Sequence, residues 1–223
     1  MKCEAHPEYV QSLRDRELVA RCEGAVEEWK GGRVVLDVPE YDLSWTPESA
    51  LGLVRALQAL FAAYNRVLWE RFPYCRACGG QCCVNEASHV GIWDGVALAL
   101  LGLSLPDLPP DLHTTARACI YLDGRACSLP AAWRTLKCWS FFCLGGLWDP
   151  ASPGERYAEL AAALQGELDA HLPEALRRYE AVRGERLADH LDDPADFAAA
   201  LDDALWEVLV GPLGARYPQL VGA

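Results

Sequence analysis

The sequence predicts a mainly α-helical protein, in which two helical flanks enclose a compact, irregular, cysteine-rich metal-binding module with a short β-hairpin. Three observations predict it. Apolar residues recur at helical spacing on both sides of the middle of the chain. Helix-starting prolines and capping residues stand ahead of those runs. Eight of the ten cysteines in the 223 residues fall between Cys75 and Cys143. The chain divides into an N-terminal helical flank, 1–72, a cysteine module, 73–150, and a C-terminal helical flank, 151–223, read together as one compact domain. A chain of this length buries a core without covalent staples. Its 52% apolar and 23% charged content excludes a disordered chain.

Pro7 is placed to open the first helix, and Val10, Leu13, Val19, Cys22, Val26 and Trp29 continue at helical spacing until Gly31-Gly32 stops it. Arg33 to Val38 reads as a short strand. Thr46-Pro47-Glu48 supplies an N-cap followed by a first-turn proline for a second helix through Leu51, Val54, Leu57, Phe61, Tyr64, Leu68 and Phe72. That helix leads directly into the first cysteines. Asp94 is expected to cap a short apolar helix ending at Gly102, after which Pro106, Pro109 and Pro110 force a loop. Ile120 to Cys127 reads as a tight hairpin, because Asp123-Gly124 suits the positive dihedrals of its turn. Ser152-Pro153-Gly154-Glu155 has the form of a capping box ahead of Tyr157, Leu160, Leu164 and Leu168. Pro173 breaks or restarts that helix. Asp193-Pro194 starts another, carrying Phe197, Leu201, Leu205 and Val208 and ending near Gly211-Pro212.

The chemistry concentrates in the middle. Cys75, Cys78, Cys82 and Cys83 place four thiols in nine residues, and Gly79-Gly80 behind the C-x2-C pair lets backbone amides turn toward the sulfurs. A second set follows in Cys119, Cys127, Cys138 and Cys143. Adjacent residues point their side chains apart, so Cys82 and Cys83 serve different centres, or one ligates while the other is a supporting or redox-active thiol. Zinc and an iron-sulfur cluster both accept four thiolates, and spacing alone does not separate them. Trp133, Trp139, Phe141, Phe142 and Trp148 crowd the last two cysteines. Apolar walls tune cluster potential and exclude water, which tilts the choice slightly toward iron-sulfur, although aromatic residues are also ordinary core.

The run Cys75 to Cys83 resembles the signature of the CxxCxxxCC cysteine-cluster family, described as a zinc- or iron-chelating domain. The resemblance extends to Leu101-Gly102-Leu103-Ser104 after a short helix, to Cys119 through Asp123-Gly124-Arg125 to Cys127, and to Lys137-Cys138. It covers residues 75–143, about the middle third of the chain. This chain has Val84 where many members carry a basic residue after the double cysteine, and Arg134-Thr135-Leu136-Lys137 where many have Arg-Pro before the late cysteine. Flagellin lysine N-methylases resemble the same family in their cysteine region. The resemblance therefore implies a metal-chelating role first, and a cluster-dependent protein methyltransferase as the enzymatic alternative. A zinc-stapled interaction domain is the third reading. Whether the chain is an enzyme stays open, and no catalytic residue is assigned.

The net charge of −12 argues against nucleic-acid binding. Five basic residues (Arg76, Arg117, Arg125, Arg134, Lys137) balance five acidic ones between Cys75 and Cys143, so the acidic excess belongs to the flanks. The start has no apolar leader core, and the longest apolar run, Gly95 to Leu105, is too short to span a bilayer. A cytoplasmic location is expected, where thiols stay reduced and clustered cysteines read as a metal or redox site. The expected partners are a metal ion and, for a docking role, another protein, without nucleic acid or membrane. Cys3 and Cys22 fall outside the ligand set, Cys22 as a core residue on a helix stripe. His89 and His113 are secondary ligand candidates. Asp192-Asp193 and Asp202-Asp203 read as solvated or helix-capping pairs.

Overall fold

Helix α1 (Pro7–Gly32) buries Asp15, Val19, Cys22, Val26 and Trp29, an alternation of four and three residues that keeps one face inward from Asp15 to Trp29. The computed structural model describes residues 7–71, 90–105, 122–123, 126–127, 134 and 153–221. Leu13, expected on the buried face, is 47% exposed. The stripe steps back from Val19 to Asp15 instead, so spacing rather than residue type decides which side chain turns inward. Gly31 and Gly32 end the helix as expected, yet the left-handed position after it is taken by Arg33, with φ of 49°. The Trp29 indole donates to the Val34 carbonyl at 2.7 Å and ties the outgoing chain to the helix.

Strands β1 (Leu36–Val38) and β2 (Leu43–Trp45) form an antiparallel hairpin, with Leu36 opposite Trp45, Asp37 opposite Ser44 and Val38 opposite Leu43. Leu36, Val38 and Trp45 turn inward, while the Ser44 hydroxyl donates to Asp37 on the outer face at 2.7 Å. The first strand is shorter than the sequence predicts. The second was not predicted, because three residues hold too little alternation to read.

Helix α2 (Pro47–Arg71) starts where Thr46 predicts, with Ser49 N–H donating to Thr46 Oγ1 at 3.3 Å and Thr46 N–H donating to Ser49 Oγ at 2.8 Å. Beyond the expected stripe it also buries Ala50, Leu53, Leu60, Ala63 and Val67. It is therefore covered on several sides, by α4 (Pro153–His171), by α3 (Ile92–Leu101) and by β2. Helix α3 packs chiefly on α1. Its cap differs from expectation: Gly91 stands at the cap, and Asp94, three residues on, accepts the Gly91 N–H at 2.8 Å. Its end agrees, because Gly102 at φ 67° lets Leu103 N–H reach back to the Leu98 carbonyl at 2.9 Å.

Pro173 ends α4 and opens α5 (Glu174–Arg183), as predicted. A short helical turn at Leu187–His190 leads to α6 (Pro194–Leu205), whose first turn is capped by Asp193 accepting Asp196 N–H at 3.3 Å. Gly211-Pro212 does not end the helix. The chain widens into a π turn at Trp206–Val210 and runs on as α7 (Gly211–Arg216). In α register Pro212 would donate to the Val208 carbonyl, but proline has no N–H and its ring crowds that carbonyl. The wide turn accommodates the ring, Gly211 N–H bonds the Trp206 carbonyl, and the Trp45 indole takes the vacant place on Val208 at 2.6 Å. Among the described residues, helices dominate and the strands form two small antiparallel hairpins.

The two flanks share one core. Trp29, Tyr64, Phe197, Leu164, Leu205 and Leu209 are wholly buried in a single apolar cluster, and Tyr64 stacks on Phe197 with ring centroids 5.8 Å apart. No helix of the described residues is long and apolar enough to cross a membrane.

Candidate metal centre

Of the eight predicted ligands, Cys127 lies in strand β4 (Ala126–Cys127), opposite Leu122 of β3 (Leu122–Asp123). The hairpin was predicted around Asp123-Gly124, and Asp123 proves to belong to the strand, opposite Ala126. Cys75, Cys78, Cys82, Cys83, Cys119, Cys138 and Cys143 lie outside the described residues, as do His89 and His113. Among the described residues, no three His, Cys, Asp or Glu side chains converge on a point where a metal could sit.

The attachment points of the cysteine-bearing segments are described. Helix α2 ends at Arg71, four positions ahead of Cys75. Val90 follows the first motif, and Leu105 precedes the second set. Both belong to one small buried cluster with Val19 of α1 and Leu98 of α3. The turn at Gly102 sends the chain back along α3 and so brings its two flanking residues to a common floor. Asp15, one turn ahead of Val19 on the same stripe, is buried. An acid at a stripe position was the sequence signal for it, and reading only apolar residues missed it.

The donor set fits a thiophilic centre. Thiolates suit zinc and iron-sulfur clusters, whereas calcium and magnesium require oxygen ligands. Cys22 stands apart, as predicted. It is fully buried, its Sγ faces the Ile92 carbonyl at 3.9 Å, and burial pushes its thiol up to about 12, so it is neither thiolate nor nucleophile at neutral pH. A Cβ built on Gly95 would lie 2.5 Å from that sulfur, so α1 and α3 meet where one residue is glycine and the other small.

Two polar clusters escaped the sequence reading. The Tyr41 hydroxyl donates to Glu207 of the π turn, and Arg183 clasps the same carboxylate, its Nε at 3.0 Å. The Arg183 guanidinium holds the Glu207 carboxyl below its ordinary range. The second cluster lines a cavity of about 180 Å³ between α5, the Leu187–His190 turn and α6. There His190 Nδ1 meets Asp196 at 2.7 Å and Nε2 meets Glu185 at 3.0 Å, and the bond to Asp196 raises the imidazole's affinity for its proton. With both ring nitrogens turned to carboxylates, His190 offers no free lone pair to a metal or a substrate proton. Asp193 caps its helix, while Asp192, Asp202 and Asp203 are exposed, which agrees with reading the acidic pairs as solvated or helix-capping.

Compared with protein families, with curated proteins and with solved structures, the chain matches none.

Proposed function

We propose that this protein binds a metal centre through Cys75, Cys78, Cys82, Cys83, Cys119, Cys127, Cys138 and Cys143, with an iron-sulfur cluster ahead of zinc, and serves in redox, metal handling or docking of a protein partner. The observation that carries the reading is the sulfur itself. Eight cysteines in an electrically neutral stretch of 69 residues, four of them in nine, exceed what buried apolar thiols require. The order of the motif, with Asp-Gly-Arg between two cysteines and a basic residue before a late one, supports it through the resemblance to the CxxCxxxCC family. When bound, such a centre supplies electron storage if it is iron-sulfur, or Lewis acidity and cross-linking if it is zinc.

The test is anaerobic purification with metal analysis, acid-labile sulfide determination and a visible spectrum. A brown protein containing iron and sulfide is the expected result. A colourless protein with stoichiometric zinc would replace the cluster with the zinc reading. Full metal content after Cys75→Ser and Cys82→Ser together would remove the first motif from the ligand set.

A further inference from the structure

We infer that His190 is a proton-operated clasp on the connector between α5 and α6: as an imidazolium it holds Glu185 and Asp196 across the rim of the cavity, and as a neutral ring it releases Glu185 and widens the mouth. Every residue involved lies between Asp169 and Asp203, and none is a proposed metal ligand. The ring sits with Nδ1 2.7 Å from Asp196 and Nε2 3.0 Å from Glu185. A carboxylate only accepts, and a neutral imidazole has a single N–H, so both contacts are hydrogen bonds only when the ring is protonated. On losing a proton the ring keeps one donor. Its other nitrogen then turns a lone pair toward a carboxylate, and that contact becomes repulsive.

The two partners are not held alike. Asp196 belongs to the first turn of α6, where its own N–H bonds Asp193 at 3.3 Å, and its bond to the ring is the shorter. Glu185 follows Gly184, whose φ of 69° ends α5, and stands in neither helix nor turn. The remaining proton therefore stays on Nδ1, and Glu185 departs to solvent. The rest of the connector has its own anchors: Leu187 is buried and its N–H bonds the Glu180 carboxylate at 2.8 Å, while Arg186 reaches Asp169 of α4 at 3.0 Å. Movement is thus confined to the Glu185 arm. The other titratable groups around the ring are Tyr179 of α5, Arg186, Asp203 of α6 and Asp189, whose carboxylate accepts the Arg186 N–H at 3.4 Å; Asp192 and Asp193 complete the connector. With the ring protonated, Glu185, Asp196 and Asp203 face two cations in the cavity lining; deprotonation leaves them facing Arg186 alone, which favours the departure of Glu185. The bond to Asp196, with Glu185 second, holds the ring's proton above its ordinary value of about 6.5. The clasp is therefore closed at and below that value and opens as pH rises through the higher value of the folded protein.

The experiment is an NMR titration of the full chain under reductant from about pH 5 to about pH 9, with His190→Gln identifying the His190 ring signals and far-UV circular dichroism following the helices. The expected result has four parts. The ring titrates above about 6.5; it emerges as the Nδ1–H tautomer; the amides of Glu185, Arg186 and Leu187 shift with the same midpoint; and a neutral gadolinium chelate broadens the Ala200 methyl signal more above that midpoint than below it. Glu185→Gln should abolish the last two changes while the ring still titrates, because a carboxamide accepts from Nε2–H and, after a flip, donates to the bare nitrogen. A ring that ends as the Nε2–H tautomer, amides that do not follow the titration, or the same amide response in Glu185→Gln overturns the inference. So does a loss of helical signal at the same midpoint, which would make the transition a wider unfolding.

Discussion

The helical frame and the cysteine stretch differ in what each asks of its residues. In the frame, the work is spread over many apolar side chains: α2 buries residues on several faces, and Tyr64 against Phe197, Trp45 against Val208 and Gly95 against Cys22 are each one contact among dozens. In the stretch from 75 to 143, the eight thiols are the proposed ligands, and each would be a large fraction of its centre. Redundancy in one and concentration in the other mean that damage to the frame should lower stability gradually, whereas damage to the stretch should abolish binding while leaving the helices in place.

That contrast can be broken or sharpened by substitution. Phe197→Ala should cost about 3–5 kcal/mol, because it empties a fully buried site under Tyr64. Chemical denaturation would measure it, and metal content per folded chain should not change. Gly95→Ala should cost about 1–3 kcal/mol through overpacking on Cys22. Cys22→Ala in the same chain should recover most of that loss, so a double-mutant cycle with no coupling would contradict the close approach of α1 and α3. Trp45→Phe leaves the Val208 carbonyl unpaired beside a proline and should cost about 1–3 kcal/mol. Adding Pro212→Ala restores a backbone donor four residues on, and part of the stability should return.

The smallest effect expected is pH-dependent. His190 faces Asp196 and Glu185, with Arg186 and Asp189 alongside in its own segment, and its pKa is raised chiefly by the bond to Asp196. A raised folded-state pKa means the stabilisation is fully present below the unfolded value of about 6.5 and is lost as pH rises through the folded value. Because the pair is solvent-accessible, the contribution should stay under about 1 kcal/mol. His190→Gln should therefore lower Tm at pH 6 and leave it nearly unchanged at pH 9. An equal loss at both pH values would show that the imidazole acts by packing alone.

Much of this arrangement was legible in the chain. The starts at Pro7, Thr46-Pro47, Pro153, Pro173 and Asp193-Pro194, and the stop at Gly102, hold in the structure because capping and proline chemistry act over one turn and need no distant partner. The places where reading failed share a cause. Gly211-Pro212 has every local mark of a helix end, yet the helix continues because Trp45, 163 residues away from Val208, supplies the hydrogen bond that proline removes. Leu13 has the composition of a core residue, and Asp15 has its position. Strand β2 is too short to carry a period, and its partner supplies its register.

For the candidate site the division is similar. The identity of the ligands, their grouping into two sets and the preference for a thiophilic metal are properties of residue type and spacing, and sequence alone determines them as expectations. It also determined that the flanks are helical, since periodicity and caps are local. Only the tertiary structure decided that the flanks interlock into one frame, that α3 belongs to it, and that Val90 and Leu105 share a floor with Val19 and Leu98. Those facts depend on contacts between residues far apart in the chain, where no local preference acts and packing alone selects the partner.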